Sequence, residues 1–302
     1  MELIKRDIDI DFLSKTRTAF MLSGALILIG LISLLVRGGP NYGIDFKGGT
    51  LVQVVFDQEV AIGDIRTALS SLDLGNSEIK EFGSPRDILI RTEMLEEQAR
   101  ISENIMSVLR DSYSNNTIQL ERVETVGPKI GGELIRAAVF SIGLALFFLI
   151  IYISWRFEFK FALGAIAALI HDVIITVGIF SLLNKEITLA IVAALLTIVG
   201  YSLNDTIVVS DRIRENLKVL RKQDFYTIIN RSLNQTLSRT IITSVTTLIV
   251  VIILFIWGGE VVKDFAFALI VGVSIGTYSS VFVATPIVVK YRDWREARAK
   301  AR

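Results

Sequence analysis

Six long apolar segments constrain this chain more than any other feature of its sequence. They are residues 19–36, 134–153, 159–183, 187–210, 241–257 and 265–289. Each is close to the roughly 20 residues that a helix needs to cross the hydrocarbon core of a bilayer. The pattern, in a chain of 302 residues that is 52% hydrophobic, predicts a polytopic membrane protein in which one helix is followed, after a long interval, by five more.

Lysine and arginine lie mainly on one side of the predicted spans. They cluster before residue 19, in the short loop after residue 153, in the loop 211–239 and after residue 289, whereas the two short opposite loops hold only Lys185 and Lys263. Because positively charged short loops are rarely translocated, both termini are predicted to be cytoplasmic. The first span is predicted to remain as an anchor, since it is longer than the apolar core of a signal peptide and lacks a clean cleavage site.

The predicted organisation therefore has five parts. They are a cytoplasmic N-terminus (1–18), a first transmembrane helix (19–36), a periplasmic domain (37–133), transmembrane helices two to six (134–289) with a cytoplasmic loop (211–239), and a cytoplasmic tail (290–302).

The periplasmic domain shows the periodicities of a small α+β fold. Strands are predicted at 50–56, 77–82, 87–92 and 117–126, and helices at 61–72 and 94–113, from alternating β-branched residues and from apolar residues at helical spacing. The order βαββαβ is that of a ferredoxin-like arrangement. The predicted fold class is thus an all-α membrane bundle of six transmembrane helices with an inserted α+β ferredoxin-like (βαββαβ) periplasmic domain.

A glycine-rich motif, GIDFKGG, precedes the first predicted strand. Its candidate residues are Gly43, Asp45, Phe46, Gly48 and Gly49. Glycine permits backbone angles and close approaches that other residues do not. Two interpretations stay open at this point: a tight turn that leads into the strand, or a docking or hinge element.

Asp205, beside Asn204, lies within an apolar span. An ionised aspartate at the centre of a membrane helix costs roughly 2.5–3.5 kcal/mol on insertion scales, so such groups usually face a bundle interior or a water-filled path. The functional interpretation is a proton-path residue. The alternative is a boundary residue that is wetted by the cytoplasmic headgroup zone.

Three further ionisable residues are candidates for the same path. Arg239, at the start of the fifth span, is either a counter-ion of Asp205 or an anchor whose side chain extends to the headgroups. Asp172 and His171 lie near the middle of the third span, and His171 is either a proton relay or a structural histidine bonded between helices.

Two helical surfaces complete the pattern. A stripe of small residues on the last span predicts close packing of another helix and also suits a partner helix that slides. The stripe consists of Ala268, Gly272, Gly276 and Ser280. Residues 212–237 of the cytoplasmic loop are amphipathic and are predicted to form a helix along the cytoplasmic face.

Composition argues against several classes of function. The net charge of +1 predicts no nucleic-acid partner. One histidine and no cysteine argue against a metal site and against thiol chemistry. With no catalytic constellation in the outer domain, we expect a protein that is not an enzyme and carries no cofactor.

Five motifs carry a family resemblance: GIDFKGG at 43–49, VGP at 126–128, HDVIIT at 171–176, GYSLNDTIVVSDRIREN at 200–216 and QTLSRTIITS at 235–244. On these motifs the chain resembles the SecF family, the smaller subunits of the bacterial SecD–SecF protein-export complex, which is related to proton-driven resistance-nodulation-division transporters. The resemblance covers essentially the whole chain.

The resemblance implies a multi-pass protein of the bacterial inner membrane that uses the proton motive force to assist preprotein export. The implied partners are SecD, the SecY-SecE-SecG channel, YajC, preprotein substrates and membrane lipid. It also implies that Asp205 and Arg239 lie on the proton path. The alternatives are a half-transporter of the resistance-nodulation-division type that exports small molecules or lipids, and a scaffold that uses no protons.

Overall fold

The computed structural model describes residues 9–93 and 98–300, and these residues form two compact units. One unit comprises residues 42–139, and the other comprises the chain on either side of it. Six helical stretches in the described residues are long and apolar enough to cross a membrane. They are α1 (Thr16–Val36), α5 (Pro128–Arg156), α6 (Phe159–Leu182), α7 (Leu189–Val219), α8 (Phe225–Trp257), and α9 (Glu260–Ser279) continued by a π-helical turn (Ser280–Ala284) and α10 (Thr285–Lys300). The chain is therefore a multi-pass membrane protein, as predicted.

The segment 211–239, predicted as a cytoplasmic loop with a helix on the membrane surface, differs from that prediction. Helix α7 continues to Val219 and α8 begins at Phe225, so the segment is helical except for residues 220–224. No glycine or proline interrupts the sequence from 201 to 257, which leaves nothing to end either helix early. Asp224 caps α8 by accepting a hydrogen bond from the backbone N–H of Tyr226 at 2.9 Å.

Helix α1 packs along α6 in a parallel direction. The contacts pair residues at a constant offset of 148: Ser23 with His171 and Ser33 with Ser181 by hydrogen bonds, and Gly30 with Gly178 by direct backbone contact. A Cβ atom on Gly30 would lie 2.8 Å from the Cα of Gly178, so both positions need glycine for the helices to approach this closely.

The small-residue stripe of α9 lies against α7 of the same chain. A Cβ atom on Gly272 would lie 2.3 Å from the side chain of Ile198, and one on Gly276 would lie 3.0 Å from the Cβ of Ser202. Ala268 and Ser280 are also fully buried. The predicted close helix packing is therefore present within the chain, and the helix that meets Gly272 and Gly276 is α7 rather than one from another protein.

The unit of residues 42–139 is built on a four-stranded antiparallel sheet. Its elements are α2 (Ile44–Lys47), β1 (Gly49–Phe56), α3 (Ile62–Leu69) followed by a 3₁₀ turn (Ser70–Leu72), β2 (Glu78–Glu81), β3 (Asp87–Thr92), α4 (Gln98–Ser112) and β4 (Ile118–Val126). The strand order is β2-β3-β1-β4, with Thr50 of β1 paired to Thr92 of β3 and Thr125 of β4. Residues 94–97 of the predicted second helix lie outside the described residues.

Alternation along the strands places one face of this sheet against α3 and α4. Val52, Val54 and Phe56 of β1 are at most 1% exposed and belong to one core with Ile65 of α3 and Ile105 of α4.

The glycine motif forms the short helix α2 and a turn into β1. Gly48 and Gly49 have φ angles of 77° and 112°, which favour glycine. A Cβ atom on Gly49 would also lie 2.4 Å from the carbonyl oxygen of Thr92. Phe46 is buried, Asp45 is half-buried and Gly43 caps α2. These features agree with the tight-turn interpretation, and the hinge or docking interpretation stays a prediction.

Candidate functional site

Asp172 is the most deeply buried carboxylate of the described helical unit, with 1% of its surface exposed. Helix α6 places it among hydroxyl groups from two neighbouring helices. Ser202 of α7 and Ser279 of α9 both donate hydrogen bonds to its Oδ2 atom, at 2.6 and 2.8 Å. Its Oδ1 atom lies 2.8 Å from Nδ1 of His171. Three helices therefore meet at one carboxylate.

A chain of hydrogen bonds leads from His171 to helix α1. Nε2 of His171 lies 2.9 Å from the hydroxyl oxygen of Ser23, which lies 3.0 Å from that of Tyr278. The Tyr278 hydroxyl donates to the backbone carbonyl of Ala19 at 2.7 Å. The His171 ring also stacks on the Tyr278 ring, with 6.2 Å between centroids.

Each hydrogen bond in this chain of contacts needs one proton. A tyrosine and a serine hydroxyl each carry one proton. Because Tyr278 donates to Ala19, Ser23 must donate to Tyr278, and Ser23 must then accept from a protonated Nε2 of His171. The contact between Nδ1 and Asp172 needs one further proton, either on Nδ1 or on the carboxyl group.

The four contacts are Asp172 to Nδ1 of His171, Nε2 of His171 to Ser23, Ser23 to Tyr278, and Tyr278 to the Ala19 carbonyl. All four are hydrogen bonds only when His171 and Asp172 together hold one proton more than a neutral imidazole and a carboxylate would hold. In that state the pair has no net charge, which lowers the cost of placing it within the apolar spans. When the pair loses this proton, three protons remain for four contacts. If the imidazole then donates from Nδ1 to Asp172, Ser23 donates to Nε2, and the one proton of Tyr278 can serve either Ser23 or the Ala19 carbonyl but not both.

Asp205 of α7 has a different environment. It is 7% exposed, and the one described hydroxyl within hydrogen-bonding distance of its carboxylate is that of Ser244, at 3.5 Å. That hydroxyl lies only 2.6 Å from Thr277, whose own proton is donated to the carbonyl of Val273. The Ser244 proton is therefore directed to Thr277, and Asp205 keeps its accepting capacity for another group.

A cavity of about 40 Å³ adjoins Asp205. Its walls include Asp205, Ser244 and Thr277 as well as Ser202, the residue that donates to Asp172. A water molecule needs about 10–15 Å³ of such volume and two to four polar partners. The cavity therefore has room for about three water molecules between Asp205 and the hydrogen-bond network of Asp172.

The other two predicted residues lie at the margin of this site. Asn204 lines the same cavity and is exposed. Arg239 of α8 is also exposed. No ion pair within 4.0 Å joins it to Asp205 among the described residues.

Several polar residues of the site were not predicted from the sequence. They are Ser23, Ser202, Ser244, Thr277, Tyr278 and Ser279. The sequence analysis weighed ionisable groups, whereas these residues are hydroxyls within apolar spans, where serine and threonine commonly bond their own backbone. Hydroxyls spaced three or four residues from an ionisable group, as Ser202 is from Asp205, were the available signal. Across residues 9–93 and 98–300 there is no cluster of three potential metal ligands.

Comparison with known proteins identifies the family. The family model "Protein export membrane protein SecD/SecF, C-terminal" matches residues 105–294, and the "SecD/SecF GG Motif" matches residues 32–60. A protein translocase subunit SecF from Desulfurispirillum indicum is 47% identical over 94% of this chain and 92% of its own length, and one from Escherichia coli O157:H7 is 40% identical over 95% and 89%.

Solved structures give the same result. The crystal structure of SecDF, a translocon-associated membrane protein from Thermus thermophilus, superposes with a TM-score of 0.86 at 37% identity. That match covers 96% of this chain and 40% of the solved chain. SecDF in the super-membrane-facing form gives a TM-score of 0.72. The chain therefore belongs to the SecD/SecF family of protein-export membrane proteins.

Proposed function

We propose that this chain is a subunit of a Sec protein-translocation accessory complex, and that it uses the proton motive force to assist preprotein export across the cytoplasmic membrane. The family supports the export role. The observation that supports proton coupling is the hydrogen-bond network of Asp172, which joins three helices of an apolar bundle. All of its hydrogen bonds form only when His171 and Asp172 together hold one additional proton. We also propose that the protein is not an enzyme.

The proposed path runs between the two buried acids. A proton on Asp205 passes through water in the adjoining cavity to the Ser202 hydroxyl, which contacts Asp172. From Asp172 it is shared with His171. Arrival or loss of this proton adds or removes one of the two hydrogen bonds that Tyr278 of α9 makes with α1, to Ser23 and to the Ala19 carbonyl.

The orientation follows from charge and helix direction. We propose that both termini are cytoplasmic and that residues 42–139 fold on the periplasmic side of the inner membrane. The parallel contacts of α1 and α6 agree with this, because two parallel spans must start on the same side. The strand order β2-β3-β1-β4 in a βαββαβ chain supports a ferredoxin-like class for the outer unit.

The proposed partners are SecD, the SecY-SecE-SecG channel, YajC and the preprotein. The solved SecDF chain is much longer than this one, which matches 40% of it. We propose that a separate SecD chain supplies the corresponding remainder.

Asp205→Asn tests the proposal, with Asp211→Asn as its control. Asp211 lies on the same helix, but 46% of its side chain is accessible and it contacts Arg156 at 3.4 Å. In vesicles with the assembled complex, we expect Asp205→Asn to abolish the part of late preprotein transport that depends on the proton gradient, and Asp211→Asn to retain it. Full gradient-dependent transport by an assembled Asp205→Asn complex would refute proton coupling. Transport that follows an imposed sodium gradient instead would assign the other ion.

A further inference from the structure

A groove at the N-terminal end of α1 has the chemistry of a ligand site that is separate from the buried acids. It has a volume of about 500 Å³ and lies between the start of α1 and helix α10. Arg17 and Lys290 line it together with Leu13, Phe20 and Met21. One part of the wall is therefore cationic and another part is apolar.

The two cations of the groove have no acidic partner there. None of the lining residues is acidic, and within residues 9–93 and 98–300 no carboxylate lies within 4.0 Å of Arg17 or Lys290. The Lys290 ammonium is instead held 4.8 Å above the centre of the Phe20 ring, a cation–π contact that fixes its position without neutralising it. Two uncompensated positive charges beside one cavity favour an anion with more than one acceptor oxygen.

The apolar wall selects among anions. Met21 is 61% exposed and Leu22, the next residue of α1, is 55% exposed. Both belong to a span with a mean hydropathy of 2.6, so this surface faces acyl chains when α1 crosses the bilayer. A ligand that satisfies both parts of the wall has an anionic head and a hydrocarbon tail.

We propose that the groove binds an anionic phospholipid, with its phosphate between Arg17 and Lys290 and one acyl chain along Phe20 and Met21. Basic pockets between membrane helices bind such headgroups. The bound lipid joins α1 to α10 at the membrane surface. This proposal is independent of proton coupling.

The experiment measures lipid binding to the full purified chain by native mass spectrometry. The probes are phosphatidylglycerol, phosphatidylcholine with the same acyl chains, and inorganic phosphate. The test variant combines Arg17→Gln and Lys290→Gln. The control combines Arg221→Gln and Lys222→Gln, which remove the same charge from the exposed turn between α7 and α8.

We expect the test variant to bind phosphatidylglycerol about 30-fold more weakly, which corresponds to ~1 kcal/mol for each cation removed, and the control to change affinity less than twofold. Unchanged affinity in the test variant would overturn the proposal, as would equal binding of phosphatidylcholine. Displacement of the lipid by an equal concentration of inorganic phosphate would show a phosphate site rather than a lipid site.

A second measurement covers the case in which the test variant does not fold. Wild-type chain is photo-crosslinked to phosphatidylglycerol that carries the reactive group on its acyl chain, and the modified peptide is identified. The proposal requires the crosslink to map to the peptide that contains Phe20 and Met21. A crosslink confined to other helices would contradict it.

Discussion

The proton count at His171 and Asp172 makes a specific prediction for two substitutions of the same residue. In Asp172→Asn, the amide oxygen can accept from Ser202 and Ser279 while the amide NH₂ donates to Nδ1 of His171. Nε2 then keeps its proton for Ser23, and every contact of the wild-type network is retained with a neutral imidazole. In Asp172→Leu, the branched shape is similar but no polar atom remains.

The expected stability difference follows from the contacts that leucine removes. Asp172 makes three contacts, at 2.6, 2.8 and 2.8 Å. Hydrogen bonds between membrane helices contribute about 0.6 kcal/mol on average and up to about 1.7 kcal/mol. We therefore expect Asp172→Leu to lower the free energy of unfolding by roughly 2–5 kcal/mol, and Asp172→Asn to lower it by less than about 1 kcal/mol.

Two measurements test this prediction. Unfolding in mixed detergent micelles, followed by tryptophan fluorescence, gives the stability of each variant. Nitrogen-15 NMR of histidine-labelled protein gives the proton positions without any assignment problem, because His171 is the only histidine in the chain. We expect Asp172→Asn to show a neutral ring with its proton on Nε2.

Tyr278→Phe is expected to shift the imidazole proton of His171 in the opposite direction. Without the tyrosine hydroxyl, Ser23 is free to donate to Nε2, so the network closes with one proton fewer. We expect this variant to move the imidazole proton to Nδ1, beside an ionised Asp172. The reasoning is wrong if Asp172→Asn is as unstable as Asp172→Leu, or if its ring carries the proton on Nδ1.

Four other substitutions test the helix packing, the turn into β1 and the segment before α1. Gly272→Ala places a Cβ atom 2.3 Å from the Ile198 side chain and is expected to lower the free energy of unfolding by about 1–3 kcal/mol. A Cβ atom on Gly200 would meet no atom within 4 Å, so Gly200→Ala is expected to be neutral or to stabilise the protein by up to ~1 kcal/mol. Unfolding in micelles distinguishes the two variants. Gly49→Ala combines a φ of 112° with a clash against a backbone oxygen, and faster hydrogen exchange of β1 amides is expected. Asn230 donates to Asp11 at 2.6 Å and holds the pKa of that carboxyl below its ordinary value. This contact therefore stabilises the fold above the ordinary pKa of aspartate and is lost as the pH falls through the lowered value. Asn230→Ala is expected to reduce this pH dependence in the hydrogen exchange of the backbone amides just after Asp11, and the part that remains comes from the Ser14 hydrogen bonds.

The sequence predicted the membrane spans well because apolar run length is a direct consequence of bilayer thickness. It predicted the ends of α7 and α8 poorly. Charged residues mark where a helix leaves the hydrocarbon, but they do not end a helix. The largely charged and polar segment 211–219 continues α7 without interruption. The strands of the unit of residues 42–139 were predicted to within one residue at each end, because their alternation and the turn around Gly83 are local signals.

The site was predicted only in its ionisable members. Asp172, His171 and Asp205 stand out because charge within an apolar span is costly. Their partners come from helices distant in sequence, such as Ser23, which lies 148 residues before His171. Pairing across that distance depends on which helices are neighbours and on the register in which they pack. The sequence around a serine in an apolar span indicates neither.

Gly276 connects the packing of the bundle to the chemistry of the buried acids. Oδ2 of Asp172, on α6, accepts from Ser202 of α7 and Ser279 of α9, so α7 and α9 must approach each other closely at this level. Gly276 makes that approach possible, since even a Cβ atom there would lie 3.0 Å from the Cβ of Ser202. The same glycine lines the cavity beside Asp205. A larger residue at 276 would separate the two serines and fill the route between the two acids, although it would touch neither carboxylate. The small-residue stripe is therefore a requirement of the polar network as well as of helix packing.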